Sequence, residues 1–382
     1  MTTSSIVKPT HDLVAVATDL AAKLAARSRH VCLLFGAGTS CAAGLPDVNS
    51  LLSKVLDALS DQERPLADSL YAGRNLEEGL TRLRRIRALL GEGEEFAGFS
   101  AASAESLEFK ITEEIINHLS SPTPDLGPAV AFASWAAGDF YTRPIEVFTV
   151  NYDLLIELGL ESVGANYFDG FVGSIGGRFR PELIESRPGR SDEAMPNSFV
   201  RLWKLHGSLN WRVQADGGVV RTGAPVPQQQ MAAIYPSDEK YDQSRRVPFV
   251  VLHDRFRRAL AEPESVTLIC GYSFGDAHLN EVIFDAAVRF PRSEIVALCF
   301  DDIPSELHQN LQPNITVIAA TEGIVAGERR EWSKPEATVS SEVWSGDRCR
   351  LGDFAAFSRF LAKAPRNPSA SLVPPGSPEP RP

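Results

Sequence analysis

Three short polar clusters in this sequence could do chemistry: Gly36-Ala37-Gly38-Thr39-Ser40, Asn151-Tyr152-Asp153 and His206-Gly207-Ser208. Each follows an apolar, strand-like run, namely Val31 to Phe35, Ile145 to Val150 and Phe199 to Leu205. A glycine turn after a buried strand lets backbone N–H groups approach a phosphate at the start of the next helix. An asparagine amide offers a donor and an acceptor without charge. An imidazole moves protons near neutral pH, a role worth roughly 10²- to 10⁴-fold in rate. Around one ligand these groups suit chemistry on a dinucleotide. Taken singly, each has a plainer reading: a tight turn, an asparagine capping the helix that begins near Leu154, and a capping or core histidine.

The surrounding elements must hold those clusters together. Residues 11–28 form an amphipathic helix leading into the Val31 to Phe35 strand, and Asn49 or Ser50 caps a helix through Leu59. Leu76, Leu80, Leu83 and Leu90, then Leu107, Ile111, Ile115 and Leu119, recur mostly at helical spacing and mark residues 60–140 as a helical insertion. Apolar runs return at Ile145 to Val150, Phe199 to Leu205, Val266 to Cys270, Ile295 to Phe300 and Ile315 to Ala319. Helices are expected at Leu154 to Glu161, Ala277 to Phe290 and Pro304 to Leu311. Strands alternating with helices imply an α/β, Rossmann-like, mostly parallel sheet of six strands, with ligands at the strands' carboxyl ends. Residues 1–320 are expected to form this domain, with an irregular lobe at 207–250. A C-terminal extension with a helix should follow at 321–364, then a disordered Pro/Ser-rich tail at 365–382.

Composition narrows the function. Against 49 Asp and Glu stand 38 Lys and Arg, a formal charge of −11, which disfavours strong direct binding to nucleic acid. Arg82, Arg84, Arg85 and Arg87 read as a solvated helix face, with a local basic patch as the alternative. No signal peptide pattern and no apolar stretch near the ~20 residues of a membrane helix is present, so a soluble, cytoplasmic protein is expected. Five scattered cysteines, never spaced Cys-X-X-Cys, indicate neither a disulfide framework nor a cysteine-held zinc, and no metal is expected. Cys41 occupies the position where a dehydrogenase fingerprint needs a third small residue, which disfavours hydride transfer.

The clusters, with two further motifs, resemble the sirtuin superfamily. Gly36-Ala37-Gly38-Thr39-Ser40 with Gly44-Leu45-Pro46-Asp47 resembles its first motif, Thr149-Val150-Asn151-Tyr152-Asp153 its second, and Lys204-Leu205-His206-Gly207-Ser208 its histidine motif. Gly271-Tyr272-Ser273-Phe274-Gly275-Asp276, followed by His278 and Asn280, is similar to its later nucleotide-binding turn. Protein-deacylating sirtuins place a cysteine-ligated zinc module after the histidine, whereas no cysteine lies between His206 and Cys270. Asp47-Val48-Asn49 and Asn151-Tyr152-Asp153 also depart from the deacylase pattern and resemble the sirtuin-like NAD hydrolases of bacterial antiphage defence.

The resemblance implies an NAD glycohydrolase that yields nicotinamide and ADP-ribose, with NAD as substrate, acting as the NAD-depleting effector of abortive infection. It implies that Asp153 accepts a hydrogen bond from the nicotinamide carboxamide, Asn151 orients water or ribose hydroxyls, and His206 is the general base. Gly36, Ala37, Gly38 and Ser40 would meet phosphate or ribose, and Gly271 and Ser273 the second ribose and phosphate. Asp47 is either a ligand contact or a helix-start residue, while Asp276 and His278 read as structural or partner residues. Cys299, Asp301 and Asp302 fall where an adenosine contact is expected. The alternatives are an NAD-dependent deacylase or ADP-ribosyltransferase, and a non-catalytic NAD- or ADP-ribose-binding subunit. Because such an activity must be gated, a homo-oligomer is expected, together with a separate sensor such as a HerA-type ATPase or a short argonaute.

Overall fold

The computed structural model describes residues 9–91, 93–120, 123–138, 141–185, 199–227, 231–233, 247–335 and 339–363. Helix α1, Leu13–Ala25, starts at Asp12, whose carboxylate accepts the N–H groups of Val14 and Ala15. Strand β1, Val31–Phe35, is buried throughout. Its Val31, Leu33 and Phe35 enter one core with α1, and Cys32 and Leu34 enter the core on the opposite face, which is why its sequence is continuously apolar. A short helix α2, Ala37–Cys41, follows directly.

The inserted helices are α3, Val48–Asp57, α4, Arg64–Tyr71, α5, Leu76–Leu89, and α6, Ala101–Ser120, with a small hairpin of β2, Glu95–Phe96, and β3, Phe99–Ser100. They have their own core, including Leu51, Val55, Leu70, Leu80, Leu83, Leu107 and Ile111. A capping box of Asn75 and Glu78 opens α5. Arg84 and Arg87 meet Glu108 of α6 at 2.6 and 3.0 Å. Arg84 is thus buried between two helices, while Arg87 reaches the same carboxylate from an exposed position. Helix α7, Gly127–Ala136, lies outside this unit although it falls within 60–140. Its Phe132, Ala133 and Trp135 are apolar enough to join the main core beside β1.

The chain continues through β4, Ile145–Thr149, α8, Leu155–Ser162, β5, Asn166–Phe168, β6, Phe171–Val172, β7, Gly176–Phe179, and β8, Phe199–Lys204. It then forms β9, Gly207–Val213, β10, Val219–Thr222, β11, Met231–Ala233, α9, Phe249–Leu260, β12, Val266–Cys270, and α10, Ala277–Arg289. The last elements are β13, Glu294–Leu298, α11, Ser305–His308, β14, Ile315–Ile318, β15, Glu322–Val325, β16, Glu328–Glu331, and α12, Phe354–Lys363.

The main sheet has nine strands, not six, in the order β16-β15-β14-β13-β12-β1-β4-β8-β5. All six expected strands are present and parallel, and if β1, β4, β8, β12, β13 and β14 are counted as first to sixth, their order is the Rossmann 3-2-1-4-5-6. The additions are β5, a parallel edge strand, and the antiparallel hairpin of β15 and β16. Ala326 and Gly327, both at positive φ, turn that hairpin. Of a second sheet, β11-β9-β10-β7-β6, strands β9, β10 and β11 fall in the segment 207–250 expected to be irregular, of which residues 228–230 and 234–246 lie outside the described residues.

Helix α12 belongs to the main core: Phe354 packs against Phe35 and Phe132 at ring distances of 5.2 and 6.2 Å. The expected tail at 365–382 lies outside the described residues. No helix among the described residues is long and apolar enough to cross a membrane.

On the opposite face of the sheet Glu146 is buried among polar partners. It accepts from His30 Nε2 at 2.9 Å, Trp203 Nε1 at 2.8 Å and Arg255 Nε at 2.7 Å. Burial works to raise its carboxyl pKa, yet bonds from His30 and Arg255 hold it far below the usual carboxylate range. The resulting stabilisation is present above that usual range and is lost only as the pH falls through the depressed value.

Candidate active site

Strand register brings the polar clusters together. Phe35 pairs with Thr149 on one side and Cys270 on the other, and Thr149 pairs with Lys204. The chain just beyond these residues therefore places Gly271, Gly36, Asn151 and His206 along one edge of the sheet. Between β1 and β12 the strand order reverses direction, the crevice where open α/β sheets bind ligands.

The glycine turn is built for close backbone contact with β12. A Cβ on Gly36 would stand 2.5 Å from the Gly271 oxygen, and one on Gly38 would stand 2.7 Å from the Gly271 Cα. Gly271 itself has φ +65°, and its added Cβ would lie 2.5 Å from the Thr39 nitrogen. The Gly36 N–H donates to Cys270 O at 3.1 Å and the Gly38 N–H to Gly271 O at 2.9 Å. Those amides are thus engaged within the protein, and the glycines serve the packing of two turns. Gly38 is exposed and Ala37 half-buried, so this part of the turn faces outward. Alanine at Gly271 should cost about 1–3 kcal/mol from overpacking alone. Urea denaturation checks this, and unchanged stability would contradict the close packing.

Asn151 is locked by its amide nitrogen. Nδ2 donates toward Gly36 O at 2.9 Å, Thr39 Oγ1 at 3.0 Å and Ser40 Oγ at 3.0 Å. The carbonyl oxygen of Gly36 can only accept, and the two hydroxyls donate elsewhere, Thr39 to Gly36 O and Ser40 to Asp153 Oδ2 at 2.6 Å. Nitrogen and oxygen are thereby distinguished, and Asn151 Oδ1 has no partner among the described residues. Asp153 is buried, with its second oxygen accepting the Leu155 N–H at 3.1 Å at the start of α8. Each carboxylate oxygen retains a further lone pair.

Lys204, at the end of β8, anchors this turn from below. Its fully buried ammonium donates to the backbone oxygens of Tyr152 and Asp153 and meets Glu157 at 2.9 Å. Burial raises the Glu157 pKa, opposed by the Lys204 charge. Tyr152 packs against a cluster of Leu209 and Met231 of the second sheet and the nearby Val226, and Ile116 and Leu119 at the end of α6 pack against the same cluster. The insertion and the Asn151 turn thus share one small apolar cluster.

His206 is buried beside two groups the sequence motifs did not assign to it. Its Nε2 lies 3.4 Å from Asp276 Oδ2, and its ring stacks on His253 of α9 at 6.2 Å and 21°. Asp276 also caps α10 through Oδ1, which accepts the His278 and Leu279 N–H groups at 3.0 and 3.3 Å. Asn280 fixes the intervening turn, accepting from Tyr272 and donating to Phe274 O.

The other expected residues have simpler surroundings. Asp47 is exposed and caps α3 by accepting the Ser50 N–H at 2.6 Å, with its carboxyl pKa lowered chiefly by that bond. This is the helix-start reading. Ser273 is exposed on the β12 turn. Asp301, beyond β13, pairs with Arg348 at 2.7 Å. Lys204 ends an apolar strand two residues before the histidine, a signal that could have drawn attention to it; His253 carries no comparable signal.

Among family models, residues 145–318 match the one described as the SIR2-like domain, a span that contains Asn151, Asp153, His206, Gly271 and Ser273 but not the β1 turn. No curated protein matches the chain.

Proposed function

We propose that this chain, sirtuin-like by its SIR2-like domain over residues 145–318, hydrolyses NAD at the nicotinamide N-glycosidic bond. The observation that carries this reading is the fixed amide of Asn151: three acceptors hold its nitrogen, leaving Oδ1 as an uncommitted acceptor one strand from His206. Breaking the bond to nicotinamide leaves an oxocarbenium-like ribose, and water adds at the same carbon. Asn151 Oδ1 orients that water or a ribose hydroxyl, and His206 takes the proton released as the new C–O bond forms. Nicotinamide departs neutral, with the electron pair of the broken bond, and ADP-ribose is the other product.

Asp153, held by Ser40 and the Leu155 N–H, has lone pairs left to accept the carboxamide of nicotinamide. Ala37, Gly38 and Ser40 line the path of the near ribose and phosphate, with Gly36 supporting their turn. Gly271 and Ser273 serve the far side, and Asp47 contributes through α3. Purified protein incubated with NAD should release nicotinamide and ADP-ribose in equal amounts, read by chromatography. Transfer of ADP-ribose or removal of an acyl group from an added protein, without free ADP-ribose, would replace this reading by an acceptor-using one.

By its resemblance, the enzyme acts as the NAD-depleting effector of antiphage defence, gated through self-association and a separate sensor such as a HerA-type ATPase or a short argonaute. Turnover by the purified chain should rise severalfold when the activating partner is added. Full turnover by the chain alone, with no stimulation by neighbouring gene products, would remove control in trans.

A further inference from the structure

We infer that Asp276 is a positioning residue that fixes His206 as the Nε2–H tautomer and leaves Nδ1 as its basic nitrogen. This rests on His206 acting as the base in NAD cleavage. Nε2 faces Asp276 Oδ2 at 3.4 Å, and because a carboxylate only accepts hydrogen bonds, this contact favours a proton on Nε2. His206 Nδ1 has no protein partner among the described residues, and its lone pair remains to receive a proton from water. In the proposed step that proton passes from the attacking water to Nδ1 while the Nε2–H stays against Asp276. The resulting imidazolium is balanced by the carboxylate.

The rest of the surroundings agree. His253 covers one face of the His206 ring, its Nδ1 bonded to the Leu205 backbone and its buried Nε2 without a partner. Burial, helped by the neighbouring His206, pushes the His253 pKa down to about 4, so this neighbour is neutral when the enzyme works. His278, the third imidazole near the cluster, is exposed at the start of α10. Among the described residues Asp276 is the carboxylate that meets His206.

Two contacts of Asp276 are divided between its oxygens: Oδ1 caps α10 and Oδ2 faces His206. Asparagine separates them. It caps a helix about as well as aspartate, but its single oxygen at the cap turns Nδ2 toward His206 and forces Nε2 to accept. The opposite tautomer then places a proton on Nδ1.

Histidine-¹⁵N NMR of the full chain at pH 8 reads the tautomers directly, with His206→Gln and His253→Gln used for assignment. The expected result is Nε2–H on His206 in the native protein and Nδ1–H in Asp276→Asn, with melting temperature and NAD affinity unchanged. In the same variant kcat should fall roughly 10²- to 10⁴-fold with little change in KM. An unchanged tautomer, or turnover equal to that of the native protein, would overturn the assignment. If the native protein releases no nicotinamide from NAD, the proposed function fails, while the NMR result still decides the tautomer.

Discussion

Alanine in place of Asn151 should abolish nicotinamide release from NAD, and alanine in place of His206 should do the same. Each removes a group assigned to the reacting centre, and loss of at least about 10²-fold is expected for a positioned proton acceptor. The two losses have different side effects. Asn151 also bonds Gly36, Thr39 and Ser40, so its removal loosens the β1 turn as well as deleting Oδ1. With each net hydrogen bond worth about 0.5–1.5 kcal/mol, Asn151→Ala should lose some stability while remaining folded. His206→Ala mainly uncovers His253 and Asp276. Circular dichroism and melting curves establish that both variants fold, and nicotinamide release is then measured at saturating NAD. Cleavage that persists in both would sink the site assignment.

Replacing Lys204 by methionine should be the most destabilising change at the site, by about 3–5 kcal/mol, because it leaves a largely buried carboxylate without its partner. Glu157 is that carboxylate, and the backbone oxygens of Tyr152 and Asp153 lose their donor as well. A second substitution separates stability from chemistry. Glu157→Gln added to Lys204→Met removes the unpaired charge and should restore much of the stability. It cannot restore the anchor beneath the Asn151 turn, so turnover should stay low. Denaturation midpoints and NAD turnover for the single and double variants give the comparison. Full recovery of turnover with stability would show that Lys204 acts through folding alone.

The six expected strands were readable because they are buried on both faces, so Val31 to Phe35 carries no polar residue and Val266 to Cys270 only the buried Thr267. The three added strands were not. Asn166 to Phe168 is short and partly exposed, and Glu328 to Glu331 reads Glu-Arg-Arg-Glu, with nothing apolar to mark a strand. Helix α9 went unanticipated although Phe249, Leu252, Phe256 and Leu260 follow a helical stripe. The same pattern explains why His253 was invisible: its importance comes from meeting His206 across the fold. Polar clusters after apolar runs mark the candidate site because carboxyl strand ends meet at one edge. Their division of labour was not legible, since it depends on which atom each group faces. The Gly36 and Gly38 amides illustrate this, being engaged by Cys270 and Gly271.

The strand order also bears on when activity can arise during synthesis. The β1 turn, the Asn151 turn and His206 emerge early, but the turn that packs on Gly36 and the carboxylate that holds His206 belong to β12 and α10. Because β12 inserts beside β1, the centre of the sheet closes only after most of the chain has left the ribosome. Parallel pairings between distant segments form slowly. On the proposed function, a growing or truncated chain ending before α10 carries Asn151 and His206 without Asp276 and should not cleave NAD.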